Sequence, residues 1–183
     1  MARKKAKALI KHSLLELLET MPLSKIDVQD IAAHCGLSRQ TFYYNFKNKQ
    51  DLIEWMLAEK NNQALTYFLN DGTLYDFILQ TMLLMQEYQS FYQSLVDYQQ
   101  NVKPFTSFFE QGIVACAEVI EGRCAIGKMN RHLWSSLHFF TYGAKGMLAD
   151  WVANGMQDDP HQLADIIIKG MPCCVDRYFQ ECH

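Results

Sequence analysis

The stretch from Val28 to Phe46, VQDIAAHCGLSRQTFYYNF, restricts the fold of this chain more than any other. Gly36 follows directly on a run with helical spacing (Val28, Ile31, Ala32, Cys35), and a glycine there supplies the left-handed residue that stops a helix. Ser38, two residues later, is placed to cap a new helix, with Leu37 and Phe42 in the positions of a hydrophobic staple. Asp27 takes the same capping role for the first helix, with Ile26 and Ile31 as its staple. The spacing therefore predicts two short helices joined by a sharp turn, the second running from Arg39 to about Tyr44 and anchored by Leu37, Phe42 and Phe46. The small Ala32 lets the two helices cross closely.

The rest of the chain carries apolar residues every three or four positions, with four prolines and nine glycines as the only strong punctuation. An all-α class follows, and 183 residues with 49% hydrophobic content bury a substantial core. Expected helices run from Lys4 to Met21, from Asn48 to about Leu69, and over Leu74–Ser94, Pro104–Ile120, Asn130–Asn154 and Pro160–Phe179. A kink or break is expected at Gly170-Met171-Pro172, where Pro172 removes a backbone donor. The long helix after Asn48 divides an N-terminal three-helix head, residues 1–48, from a helical body, residues 49–183. No internal repeat or low-complexity tract is present.

The net charge of −3 hides an asymmetry. Residues 1–49 hold nine Lys and Arg against four Asp and Glu, a net of +5, which leaves −8 for the remainder. A basic head on an acidic body suits a protein that docks one end on a polyanion. No run of 18 apolar residues and no signal-peptide pattern occurs, so a cytoplasmic chain without a membrane partner is expected. In that compartment the six cysteines are expected as thiols.

Two crossed helices with a sharp turn follow helix-turn-helix logic, and the major groove, about 12 Å wide, admits the second helix. Arg39 can fork onto guanine O6 and N7, Gln40 can bond adenine N6 and N7, and Thr41 offers a hydroxyl and a methyl. A phosphate remains the alternative partner for Arg39, and water for Gln40. Tyr43 and Tyr44 continue the exposed side and can reach phosphate oxygens, and Lys49 adds a cation near the next helix start. With Asp27 and Ser38 at the two helix starts, these residues form the expected DNA-facing set.

In this order of parts, Ile26–Leu52 resembles the TetR family signature: an Ile- and Val-rich helix, a Gly turn, a Ser-capped recognition helix, a Tyr-rich exit and an Asn-Lys pair. The resemblance covers about the first third of the chain. It implies base contacts from Ser38–Thr41 and phosphate contacts from Tyr43, Tyr44 and Lys49, whereas Asn45 departs from the His or Tyr of many members. A second likeness, at Phe139–Gly155 (FFTYGAKGMLADWVANG), is to a subgroup of the family that includes activators of dihydroxyacetone kinase operons.

The resemblance also implies a homodimer built from the last two helices, on a palindromic operator, controlled by a small-molecule effector. Leu137, Phe140, Ala144, Met147, Leu148 and Trp151 line one helix face, with Gly143 and Gly146 permitting close approach, and Leu163, Ile166, Ile167 and Met171 continue it. Packing inside one chain is the alternative for each. Tyr67, Phe91, Tyr92, Phe108, Trp134, His138 and Tyr142 are the candidate effector-lining residues. No phosphate-cradling glycine loop, H-E-x-x-H or G-x-S-x-G occurs, and no cofactor is implied. The rival readings are a helical ligand-binding or scaffold protein that never touches DNA, and a metal or thiol sensor using Cys173, Cys174, Cys182 and His183. The adjacent cysteines and terminal histidine fit zinc spacing poorly.

Overall fold

A computed structural model describes residues 2–70, 72–97, 103–123 and 128–180, and among these the side chains of residues 2, 60, 61, 63, 97, 103–109, 123 and 180 are not described. Phe108, Cys124, Cys182 and His183, which carry expectations above, thus lie outside the described side chains. Every regular element among the described residues is helical: α1 (Ala2–Leu18), a 3-10 turn (Leu23–Lys25), α2 (Val28–His34), α3 (Arg39–Asn45), α4 (Lys49–Asn70), α5 (Leu74–Glu87), α6 (Gln89–Asp97), α7 (Lys103–Arg123), α8 (Arg131–Ala153), α9 (Pro160–Lys169) and α10 (Cys173–Gln180).

The head is built as its sequence dictates. Asp27 accepts from the N–H groups of Gln29 and Asp30 while the Asp30 carboxylate accepts from the Asp27 N–H, a complete capping box. At the far end Gly36 has φ +65°, and the N–H groups of Gly36 and Leu37 reach back to the carbonyls of Ala33 and Ala32, the Schellman pattern. Ile10 and Leu14 of α1, Ile31 and Ala32 of α2, and Phe42 of α3 meet in the core with Leu23, Ile26 and Phe46. A contact without sequence signal ties α1 to α2: the buried Ser13 hydroxyl donates to the Ile31 carbonyl at 2.8 Å.

Beyond the head, α4 packs on α5 and α7, α5 on α9, α7 on α8, and α8 on α10. The helix expected over Leu74–Ser94 is two helices, broken at Tyr88 (φ −118°, ψ 43°). Neither proline nor glycine marks the break. It redirects α6 so that Phe91, Tyr92 and Leu95 are buried and the helix packs on both α1 and α8. The final helix also divides, and here the sequence signal was present. Gly170 and Met171 close α9 onto the carbonyls of Ile166, Ile167 and Ile168, and the Pro172 carbonyl accepts from Val175 and Asp176 to start α10.

The expected interface stripe requires correction. Leu137, Phe140, Leu148, Trp151, Leu163, Ile167 and Met171 are all buried within the single chain. The cause is that α6, α7 and α10 cover that side of α8, and α5 covers the same side of α9. Ala144 and Met147 are half-buried against the same core. What α8 turns outward is a different stripe, with Phe139 77% exposed, Tyr142 58% exposed, and Gly143 and Gly146 open to solvent. A methyl placed on either glycine would touch no atom within 4 Å. Of the residues expected at the interface, Ile166 alone is fully outward, at 56%.

Candidate nucleic-acid interface

The start of α3 is set by Ser38, whose hydroxyl oxygen accepts from the Thr41 N–H at 3.1 Å and lies 2.9 Å from the Thr41 hydroxyl. The cap leaves Ser38, Arg39, Gln40, Tyr43 and Tyr44 exposed, Tyr44 at 73%, while Phe42 is fully buried beneath them. Thr41 is half-buried, its hydroxyl engaged with the cap. The alternation comes from helix geometry, since the anchor at Phe42 fixes which side of a two-turn helix faces out. Arg39 leans across the turn, its Nη1 3.4 Å from Gln29 Oε1 of α2. Gln29, which sequence reasoning passed over, thus shares the outward surface with Arg39, and Asp27 adds a carboxylate whose field acts on that guanidinium. The backbone N–H of Asp30, and then that of Gln29, hold the Asp27 carboxyl below its ordinary range.

Two flanking cations are organised by aromatic rings. Lys7 Nζ sits 4.7 Å from the Phe46 ring centre and 4.8 Å from that of Trp55, a cation held between α3's exit and α4. Arg3 lies 5.6 Å over the ring of Tyr44, which puts the start of α1 beside the recognition helix. The excess of cations in residues 1–49 was legible in the sequence, but the docking of Lys7 and Arg3 on these rings depends on how α1 meets α3 and α4.

Lys49 stands differently from expectation. Its Nζ donates at 2.6 Å to the carbonyls of both Leu23 and Ile26, half-buried under the link between α1 and α2. Burial lowers the ammonium pKa, while the carboxylates of Asp27 and Asp30 act to raise it. Lys49 in this structure is a clasp on the chain's own backbone. Asn45, which departs from the His or Tyr of many family members, is buried, its Nδ2 donating to the Thr41 carbonyl at 2.8 Å and its Oδ1 left without a hydrogen-bond partner among the described residues.

The candidate effector residues are not brought together. Phe91 and Tyr92 are packed in the core between α1 and α8, and burial holds the Tyr92 phenol protonated, well above its usual pKa. Tyr67 is 53% exposed and lies over Gly72. Trp134, His138 and Tyr142 form an aromatic ladder on α8, with ring centres 4.8 and 6.0 Å apart, and its two ends are exposed. A cavity of about 60 Å³ lies between α5, α7 and α8, lined among the described residues by Leu74, Phe77, Ile78, Thr81, Gly112, Ile113, Cys116, Phe140, Thr141, Ala144 and Leu148. None of the six candidates with described side chains lines it, because the expected set gathered aromatic rings whereas most of the described lining is aliphatic or small.

A capped recognition helix carried on a helical body defines a helix-turn-helix regulator. Residues 13–56 match the family described as bacterial regulatory proteins, tetR family, and residues 72–171 match the transcriptional regulator C-terminal region of such proteins. The chain belongs to the TetR family of transcriptional regulators. Among its relatives, the HTH-type regulator EthR of Mycobacterium tuberculosis is 44% identical over 48 residues, 26% of this chain and 22% of that protein. DhaS of Lactococcus lactis, an activator of the dhaKLM operon, is 29% identical over 101 residues, 53% of this chain and 52% of its own length. These matches thus span about a fifth and a half of the two relatives. Solved structures carry the likeness over the whole fold. DhaS superposes with a TM-score of 0.65 at 19% identity, covering 90% of this chain and 92% of that one. NalD of Pseudomonas aeruginosa, a secondary repressor of the MexAB-OprM efflux pump, does so at 0.68 and 24%, covering 93% and 95%. No described helix is long and apolar enough to cross a membrane.

Proposed function

We propose that this regulator works as a homodimer that reads a palindromic operator through α3 and releases or engages it under control of a small molecule. The observation that carries the reading is the outward set at the start of α3, with Arg39 and Gln40 exposed above the buried Phe42. Arg39 and Gln40 are the base readers, Thr41 a shorter-range contact through its methyl, and Tyr43, Tyr44 and Arg3 the phosphate contacts. Lys49 acts on DNA at one remove, by fixing the link that sets α2 against α1. Residues 1–48 form the reading head and residues 49–183 the body.

The dimer is supported by the uncovered stripe on α8. Phe139 and Tyr142 flank two glycines that cost a helix about 1 kcal/mol each relative to alanine. A second copy of α8, with Ile166 of α9 beside it, buries those rings and uses the small residues for close approach. Two-fold symmetry then places the recognition helices about 34–36 Å apart in successive major grooves. Selection of bound sequences from a random DNA pool by the full chain tests this. The expected product is a palindrome with half-site centres one helical turn apart, and enrichment of no sequence over the input pool contradicts it.

A further inference from the structure

The cavity between α5, α7 and α8 has an unusual chemical complement. Among the described residues, the polar atoms its lining side chains supply are the hydroxyls of Thr81 and Thr141 and the thiol of Cys116, and none of those residues is charged. Each hydroxyl has already used its single proton. Thr81 donates to the Phe77 carbonyl at 2.8 Å, and Thr141 donates to those of Leu137 and His138, each at 2.9 Å. What remains to a visitor is lone pairs, because a hydroxyl whose proton is committed can only accept. The Cys116 thiol is buried, and burial pushes its pKa up to about 12, so it adds no thiolate charge at neutral pH.

The walls are shaped for occupancy. Gly112 stands inside the 21-residue α7, where glycine weakens a helix, and a methyl built on it would meet nothing nearer than the Phe77 ring at 3.9 Å. A larger residue there would fill the space that the glycine leaves open. At about 60 Å³ the cavity is less than half the ~150 Å³ of one that accepts benzene, which suits a short chain of a few heavy atoms.

We propose that this cavity binds a small, uncharged, mostly apolar molecule whose single hydroxyl donates to Thr81 or Thr141. The proposal rests on the reading of the body as the effector-responsive part and adds the ligand's chemical class. A carboxylate would meet no donor but a weak thiol, and an ammonium would meet no counter-charge, so both would be buried uncompensated.

The test titrates four probes into the full chain carrying isotope-labelled Ile and Thr methyls: ethanol, its isomer dimethyl ether, acetate and ethylammonium. Saturable shifts at Ile78, Thr81, Ile113 and Thr141 are expected with ethanol. The ether, with the same atoms and no donor, should bind about 5-fold more weakly, as one net hydrogen bond implies. The two ions should give no saturable shift. Gly112→Leu and Ala144→Leu each put a larger side chain into the space, and either one that keeps its helical circular dichroism should abolish the ethanol response. Equal affinity for ethanol and ether overturns the proposal, as does binding of either ion as tightly as ethanol, a response that survives the plugs, or no saturable shift from any probe. Operator binding is measured separately without alcohol. Its failure would count against the DNA reading alone, since the methyl shifts report the cavity directly.

Discussion

At Gly36 the backbone φ of +65° is one that side-chain-bearing residues disfavour, although the space beside it is open. Gly36→Ala is therefore a test of conformation without clash, and it should destabilise the chain by about 1–2 kcal/mol in urea unfolding. Asp27 supplies a second residue-scale expectation. Its carboxyl is held below the ordinary 3.8, so its contribution to stability is complete above that value and is lost as pH falls through the lower, folded-state pKa. Asp27→Asn retains a capping oxygen and does not titrate, so the variant's urea midpoint should fall less steeply than the parent's between about pH 4 and pH 2. Arg39 and Lys49 separate reading from holding. Arg39→Ala should cost about 1–3 kcal/mol at one base pair and relax preference there. Lys49→Met should weaken cognate and scrambled DNA in equal proportion and lower the melting temperature, because the Leu23 and Ile26 carbonyls lose a charged donor. Competition binding with single-base operator variants measures both; equal loss on cognate and scrambled DNA with Arg39→Ala would remove it from the readers.

Among the elements, α8 has two sides with different fates. Its Leu137, Phe140, Leu148 and Trp151 side closes the core, and its Phe139, Tyr142, Gly143 and Gly146 side is exposed. Phe139→Glu should leave the helical content intact and shift sedimentation from dimer to monomer, with loss of operator binding in parallel. A variant that stays dimeric would move the interface elsewhere. The same helix explains what the sequence could and could not tell. Periodicity locates α8 to within a residue at each end, and it finds an apolar stripe, but a stripe does not say whether the neighbour is one's own chain or another copy. The head was more legible because its partners are local: cap, staple and Gly36 turn lie within a few residues of one another. Lys49 and Ser13 were not, since the carbonyls they bond lie 18 to 26 positions away. The Tyr88 break escaped for the opposite reason, having no breaker residue and arising from the pull of α1 and α8 on Phe91, Tyr92 and Leu95.

For the molecule as a whole, the division of charge matters more than its sum. The net +5 of residues 1–49, with Arg3, Lys4, Lys5 and Lys47 exposed, should make operator affinity fall steeply with salt. The slope of log K against log salt should be at least about −4 for a dimer, measured by fluorescence anisotropy, and a slope near zero would mean that phosphates are not its partners. The −8 of residues 50–183 keeps that attraction confined to one end. One continuous apolar cluster runs from Ile10 in α1 to Val175 in α10, and α6 touches both α1 and α8. Such a chain has no seam along which to come apart, so heat should melt it in a single calorimetric peak. Whatever lodges in the body must then also raise the temperature at which the DNA-facing end unravels.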